Sequence, residues 1–148
     1  MGKIRMYKMK VKGKIPKNGK KETVERLVRY QSKHRKNSKG NLEDAQKEIR
    51  KMGMRDGHKV VEPSETIYVY EKEVHLSEIE ISEQFKKTRC NQKKYDYYRN
   101  SYLKTGELMS QIIIRPDGVL VDGYISYLLL KELHPEVDCK VTVWVENP

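Results

Sequence analysis

Gln111-Ile112-Ile113-Ile114-Arg115-Pro116-Asp117-Gly118-Val119-Leu120-Val121-Asp122-Gly123-Tyr124-Ile125-Ser126 is the stretch that decides the fold. It reads as strand, tight turn, short strand, glycine elbow and helix. Ile112 to Ile114 form a β-branched run, which favours a pleated backbone. In Pro116-Asp117-Gly118 the proline presets φ, the aspartate can bond its own backbone and the glycine accepts φ > 0. Val119 to Val121 return as a strand. Asp122-Gly123 then stops the strand and opens a helix over Tyr124 to Leu133. A glycine at such an elbow lets a ligand approach the backbone closely. The free N–H groups and the dipole of the new helix favour an anion there.

The residues 120–128 of this stretch, Leu-Val-Asp-Gly-Tyr-Ile-Ser-Tyr-Leu, resemble the elbow of the ParB/sulfiredoxin-like superfamily. The flanks agree in order. Val74-His75-Leu76-Ser77-Glu78-Ile79 is similar to the family's opening strand and the step after it. Asn91 to Gly106 is similar to its charged helix, and Cys139 to Val145 to its closing strand. The resemblance spans 67–145 and implies an α+β fold, a small mixed sheet packed by helices. Family members usually open the helix after the elbow with a His-Arg or Arg-Arg pair that grips a nucleotide phosphate. Here the matching positions are Ile125 and Ser126, so the charged pair is missing. What the resemblance leaves for a phosphate is Gly123, the N–H groups of Tyr124 and Ile125, and the Ser126 hydroxyl. Cations would have to come from Arg115, Lys86, Lys87, Arg89 or the N-terminal part.

The sulfiredoxin branch carries a catalytic cysteine directly after the elbow glycine. This chain has Tyr124 there, and neither Cys90 nor Cys139 matches, so that chemistry lacks its nucleophile. A kinase-like branch implies an acidic loop residue and an elbow aspartate, for which Glu83 and Asp122 stand in comparable places. Asp122 would then act as a base or hold Mg²⁺ with a nucleotide; the alternative role is a helix N-cap. No acidic cluster supports nuclease chemistry. The four histidines, His34, His58, His75 and His134, show no metal-ligand spacing with the two cysteines, so no metal site is expected.

Charge divides the chain. Of its 148 residues, 1–62 carry 20 Lys/Arg against 7 Asp/Glu, a net +13, whereas 63–148 carry 11 against 14, a net −3. The expected organisation is a basic N-terminal extension over 1–62 joined to a ParB-like domain over 63–148. Such asymmetry points to a nucleic-acid-facing arm, the alternatives being a solvated basic tail or a protein-binding surface. The candidate contacts are Lys8, Lys10, Lys12 and Lys14, then Lys20, Lys21, Arg26 and Arg29, then Lys33, Arg35 and Lys36.

Within the extension, 3–14 alternates loosely and reads as a short strand or an unstructured arm. Ile15 to Gly19 is a break with an Asn-Gly turn. Glu22 to Arg35 reads as a helix, since Val24, Leu27 and Val28 share a face at helical spacing. A second helix runs from an Asn41 cap to a Gly53 stop, with Leu42, Ala45, Ile49 and Met52 as its apolar stripe. The extension is therefore expected to be mainly helical, a basic hairpin. Its loop is too long and its second helix too acidic at the start for a helix-turn-helix. Arg55 to His58 reads as a turn, and Val60 to Ser64, containing Pro63, as a linker or edge segment.

Beyond it, Ile67 to Leu76 suggests one long or two short strands, and Ser82 a cap for a short helical turn. Gln92 to Leu108 reads as a helix with Tyr95, Tyr98 and Tyr102 on one side. That stripe is either a core face or a base-stacking platform. Lys140 to Val145 alternates as a closing strand.

Mean hydropathy is −0.86 and no apolar run is long enough to span a membrane. The first residues lack the apolar region of a secretory signal, and two cysteines are too few for a disulfide framework. A reducing cytoplasm is the natural location. Three functions remain: a nucleic-acid-binding module with a degenerate or regulatory nucleotide pocket, a nucleotide-dependent phosphotransferase or NTPase at Asp122-Gly123, and a protein-binding factor of a phage or mobile element. A homodimer is compatible with each.

Overall fold

The computed structural model describes residues 3–17, 19–54, 57–87 and 91–147, with the side chain of Lys17 left aside. Asn18 of the first turn, Arg55 and Asp56 of the second, the cation Arg89 and the thiol of Cys90 lie outside the described residues. The chain forms two compact units, 4–68 and 69–148, the first three residues grouping with the latter. The division falls six residues later than the sequence suggests, and it falls inside a strand.

The first unit holds β1 (Ile4–Lys17), β2 (Lys20–Tyr30), α1 (Lys39–Lys51) and the first half of β3 (Lys59–His75). Here the structure corrects the expectation of a mainly helical extension. Residues 22–30, expected as helix, pair antiparallel with β1 from Tyr7↔Tyr30 to Ile15↔Glu22. The reason is an ambiguity of period. Val24, Leu27 and Val28 fit a helical face, but Val24, Val28 and Tyr30 also fit a strand face. Lys17 pairs with Lys20, and Gly19 between them stands at φ +77°, a hairpin turn that decides between the two periods. Tyr7, Met9 and Val11 of β1 then pack with Val28 and Tyr30 of β2 against Ala45 and Ile49 of α1. Leu27 falls on the opposite face and is 44% exposed.

The cap of α1 is Ser38, whose Oγ accepts the Asn41 N–H at 3.3 Å, not Asn41 as expected. Asn41 is instead fully buried. Its Oδ1 accepts the Tyr30 hydroxyl at 2.7 Å and its Nδ2 donates to the His34 carbonyl at 3.3 Å. Ser64 of β3 completes the chain of hydrogen bonds at the Tyr30 hydroxyl. Burial raises the Tyr30 pKa above its ordinary value, with the Ser64 hydrogen bond opposing the rise. Met52 ends the helix and Gly53 follows at φ +84°, the expected stop. Val60 to Ser64 belongs to β3 rather than to a linker. β3 is the outer strand beside β1 in this unit, a position that tolerates the missing N–H of Pro63.

The second unit holds the rest of β3, a 3₁₀ turn at Leu76–Glu78, α2 (Glu83–Lys87), α3 (Gln92–Thr105), β4 (Ile113–Ile114), β5 (Leu120–Asp122), α4 (Tyr124–Leu133) and β6 (Lys140–Asn147). Strand order here is β3-β6-β4-β5. β4 runs parallel to β6, with Ile113 opposite Trp144, and antiparallel to β5, so the sheet is mixed. The fold is α+β, with strands and helices in the order expected from Ile67 onward. Ile112, Ile114 and Leu120 meet Val143, Val145, Tyr127 and Leu130 in one core. Each such side chain contributes about 1.5–3 kcal/mol on burial.

The helix ends follow local chemistry. Asn91 caps α3 by accepting the Lys94 N–H at 3.2 Å, and Gly106 closes it at φ +76°. Of the tyrosine stripe Tyr95 is buried, Tyr98 and Tyr102 are half-buried and Tyr97 is exposed, which makes it the inner face of a packed helix. The Ser82 Oγ accepts the Phe85 N–H at 3.3 Å at the start of α2, as expected. The 3₁₀ turn is held by Asp138, which accepts the Ser77 N–H at 2.9 Å and the Ser77 hydroxyl at 2.6 Å. Among the described residues no helix is long and apolar enough to cross a membrane.

Candidate functional site

The elbow is built as the sequence reads. Gly118 lies at φ +91°, and its N–H donates to the Arg115 carbonyl at 2.9 Å, which closes the turn. The Asp117 carboxylate takes the Val119 N–H at 3.2 Å and the Arg115 guanidinium at 2.8 and 3.2 Å. These contacts, Arg115 first, lower the Asp117 pKa, and Asp117 in turn raises that of Arg115. Glu80 and Leu120 tie the turn to the preceding chain. The Glu80 N–H donates to Gly118, and the Leu120 N–H donates to Glu80, both at 2.9 Å.

Gly123 then turns the chain at φ +85°, ψ 29°, and α4 begins without a side-chain cap. The missing Cβ has a use within the chain. An added methyl would stand 2.8 Å from the Ile112 Cα and closer still to the Gln111 carbonyl oxygen. The close approach expected of a ligand is made by the chain's own strand entry.

The other residues of the sequence-derived pocket are also engaged. Ser126 is fully buried; its hydroxyl donates to the Ser110 carbonyl at 2.7 Å and meets the Ser110 hydroxyl at 2.8 Å. Tyr124 is half-buried, with its ring 5.2 Å from Phe85 and stacked at 6.2 Å on Tyr127. Ile125 is half-buried. Asp122 is exposed, and its Oδ1 accepts the Gly123 N–H at 2.8 Å. Glu83 pairs with Lys86 at 3.4 Å on α2. Arg115 is committed to Asp117. Three groups of the expected phosphate cradle, the Gly123 N–H, the Ser126 hydroxyl and the Arg115 guanidinium, thus hold contacts within the chain.

The basic residues of the first unit are sorted by the hairpin, which the sequence reading does not anticipate. Lys8, Lys10, Lys12 and Lys14 alternate along β1 with the buried Met9 and Val11, so all four share the face turned from α1. Arg29 lies opposite Lys8 and joins that face. Lys21 lies opposite Pro16 near the hairpin end, beside Lys20. Arg26 lies opposite Val11, on the other face, and its guanidinium donates to the Glu25 carbonyl at 3.2 Å. Lys33, Arg35 and Lys36 are exposed in the connection to α1. Glu62 lies 3.6 Å from Lys10, and Glu25 faces Lys12 across the strands. The grouping was available in the alternation of 8–14, had 22–30 been read with period two.

No family model matches the sequence, and no curated protein is similar to it. Solved structures are similar in fold. One structure of a pNOB8-like ParB N-domain has a TM-score of 0.45 and 18% identity, covering 55% of this chain and 31% of that one. Another of the pNOB8-like ParB N-domain has a TM-score of 0.42 and 21% identity, covering 54% and 28%. The chain spans less than a third of the length of the structures it matches.

Proposed function

We propose that the protein binds nucleic acid through its first unit, and that the glycine elbow of the second is a structural joint in which the nucleotide pocket is degenerate. The observation that carries this reading is the row Lys8, Lys10, Lys12 and Lys14 on one strand face, half-buried at the first two and exposed at the last two, within a segment of net +13. A row of like charges is unfavourable for the isolated fold, since each lysine sees another two residues away on the same face, and a polyanion relieves it. A phosphotransferase centred on Asp122 and Gly123 draws no comparable support, because Ser126, Arg115 and Glu83 already hold partners.

The test is fluorescence anisotropy of the full chain with labelled DNA at several salt concentrations, alongside a titration with labelled nucleotides. Binding that falls steeply with salt, without nucleotide binding, is the expected result. Nucleotide binding abolished by Asp122→Asn would favour the enzyme. A stable complex with an acidic protein and none with DNA would return the basic face to a protein partner.

A further inference from the structure

We infer that β2 is the edge through which two copies of this chain pair, strand against strand and antiparallel, with Leu27 of both copies on the two-fold axis. The inference goes beyond the nucleic-acid reading and does not depend on it.

β1 lies between β2 and β3, so β2 ends the strand order, and among the described residues no strand lies beyond it. Edge strands are commonly kept short, bent by a bulge or interrupted by proline, because their open N–H and C=O groups invite a second chain. β5, at the edge of the second unit, has three residues. β2 has 11, runs in unbroken register against β1 and contains neither proline nor glycine. The register also says which of its groups stay open. The hairpin closes on Lys17↔Lys20, and a tight turn closes with a hydrogen-bonded pair. Lys20 and every second residue after it therefore turn their N–H and C=O to β1, while 21, 23, 25, 27 and 29 turn theirs outward. At one of these the Glu25 carbonyl accepts the Arg26 guanidinium at 3.2 Å, a side chain standing where a strand would donate.

Charge is the remaining way to guard an edge, and here it selects the partner. A strand of one sign would repel its copy, but β2 sets Glu22 and Glu25 among its lysines and arginines. A two-fold axis normal to the sheet keeps each side chain on its own face, and residues directly opposite share a face. Opposite residues are then an even number apart in sequence, so one residue of β2 faces itself across the axis. Glu25 or Arg26 in that place sets like charges together, which is unfavourable. Leu27 in that place sets leucine on leucine and puts Glu25 of each copy opposite Arg29 of the other. Val24 in that place leaves Leu27 opposite Lys21. Leu27 is the one apolar side chain that β2 turns away from α1, it is 44% exposed, and the pairing covers it. Arg29 already has a contact within the chain, and its five donors leave it able to take Glu25 as a further partner.

The experiment is sedimentation equilibrium of the full chain over a range of concentrations, without nucleic acid, together with two variants. Pairing over 24–30 makes a small interface, so a dimer dissociation constant of about 10–100 μM is expected. Leu27→Pro removes an outward N–H that the β1–β2 ladder does not use, at a place where an edge strand tolerates proline. It is expected to weaken dimerisation by about tenfold or more, with the far-ultraviolet circular dichroism spectrum unchanged. Leu27→Cys sets two thiols on residues whose Cα atoms lie about 5.5 Å apart across the axis, within the span of a disulfide. Mild oxidation is expected to link position 27 to position 27, as read by peptide mapping, and to link neither Val24→Cys at position 24 nor the unaltered chain. A chain that stays monomeric up to about 1 mM, a dimer undiminished by Leu27→Pro, or a link at position 24 and none at 27 would overturn the inference. Should Leu27→Pro lose its spectrum, the link at position 27 decides, its presence supporting the pairing and its absence overturning it.

Discussion

Replacing Gly123 with alanine asks whether the elbow glycine serves the chain or a ligand. Its left-handed backbone, φ +85°, costs a residue with a Cβ about 1–2 kcal/mol. The added methyl would also stand 2.8 Å from the Ile112 Cα and 3.0 Å from the Gln111 carbonyl carbon. Both atoms are backbone, and the Ile112 carbonyl is fixed by the Trp144 N–H at 2.9 Å, so neither swings aside as a side chain would. Overpacking of this kind adds about 1–3 kcal/mol, for a total of about 2–5 kcal/mol. Gly106 supplies the control: φ is +76° and nothing lies within 4 Å of an added Cβ, so Gly106→Ala isolates the backbone cost. Gly118, at φ +91° with the Glu78 carbonyl oxygen 3.1 Å away, should fall between them. With an m-value of about 2 kcal/mol per molar urea, Gly106→Ala should move the unfolding midpoint by about 0.5–1 M and Gly123→Ala by about 1–2.5 M. Equal effects of Gly123→Ala and Gly106→Ala would refute the reasoning. The space beside Gly123 would then be open, and a ligand would again be the reason for the glycine.

Other substitutions probe separate contacts. Tyr30→Phe removes the hydroxyl between Asn41 and Ser64 and leaves the buried Asn41 oxygen without its donor, at a cost of about 1–3 kcal/mol in urea unfolding. Because burial raises the Tyr30 pKa, its contribution is complete below the unfolded tyrosine pKa of about 10 and is lost as pH rises through the folded value. The phenylalanine variant should therefore show a shallower loss of stability in alkali. Ser126→Ala should cost about 1–2 kcal/mol by stranding the Ser110 carbonyl, with DNA affinity unchanged; a drop in nucleotide affinity at constant stability would instead place Ser126 in a phosphate site. Ser77, hydroxyl first and then N–H, followed by the His75 charge, lowers the Asp138 pKa. That contribution is present above the unfolded carboxylate pKa of about 4 and lost as pH falls through the lower folded value. Asp138→Asn should lower the melting temperature at neutral pH and narrow the gap to the original chain in acid.

The second unit was legible because several local signals agreed there. Ile112 to Ile114, the Pro-Asp-Gly turn, the elbow glycine and the Asn91 and Gly106 helix ends each permit little else, and they are consistent with one another. In the first unit two signals conflicted. Val24 and Val28 fit both periods, whereas Leu27 fits only the helical one, and in the strand it falls on the face opposite α1, 44% exposed. A polar 37–40 loop also hid Ser38 as the cap, since Asn41 is an equally good capping residue by type and only the fold shows it buried beneath Tyr30.

The elbow shows why a motif's shape can be read from sequence when its occupancy cannot. Glycine at a left-handed strand-to-helix turn has one backbone reason to be there, positive φ, and either of two spatial reasons, a ligand or the protein's own backbone. The residue is identical in both cases. What distinguishes them is Gln111, twelve residues earlier, whose carbonyl reaches the elbow only after β4 has paired with β6 and β5. Ser126 follows the same logic, since its partner Ser110 is sixteen residues away. Ser126 is turned inward, and its buried hydroxyl requires the partner that Ser110 supplies.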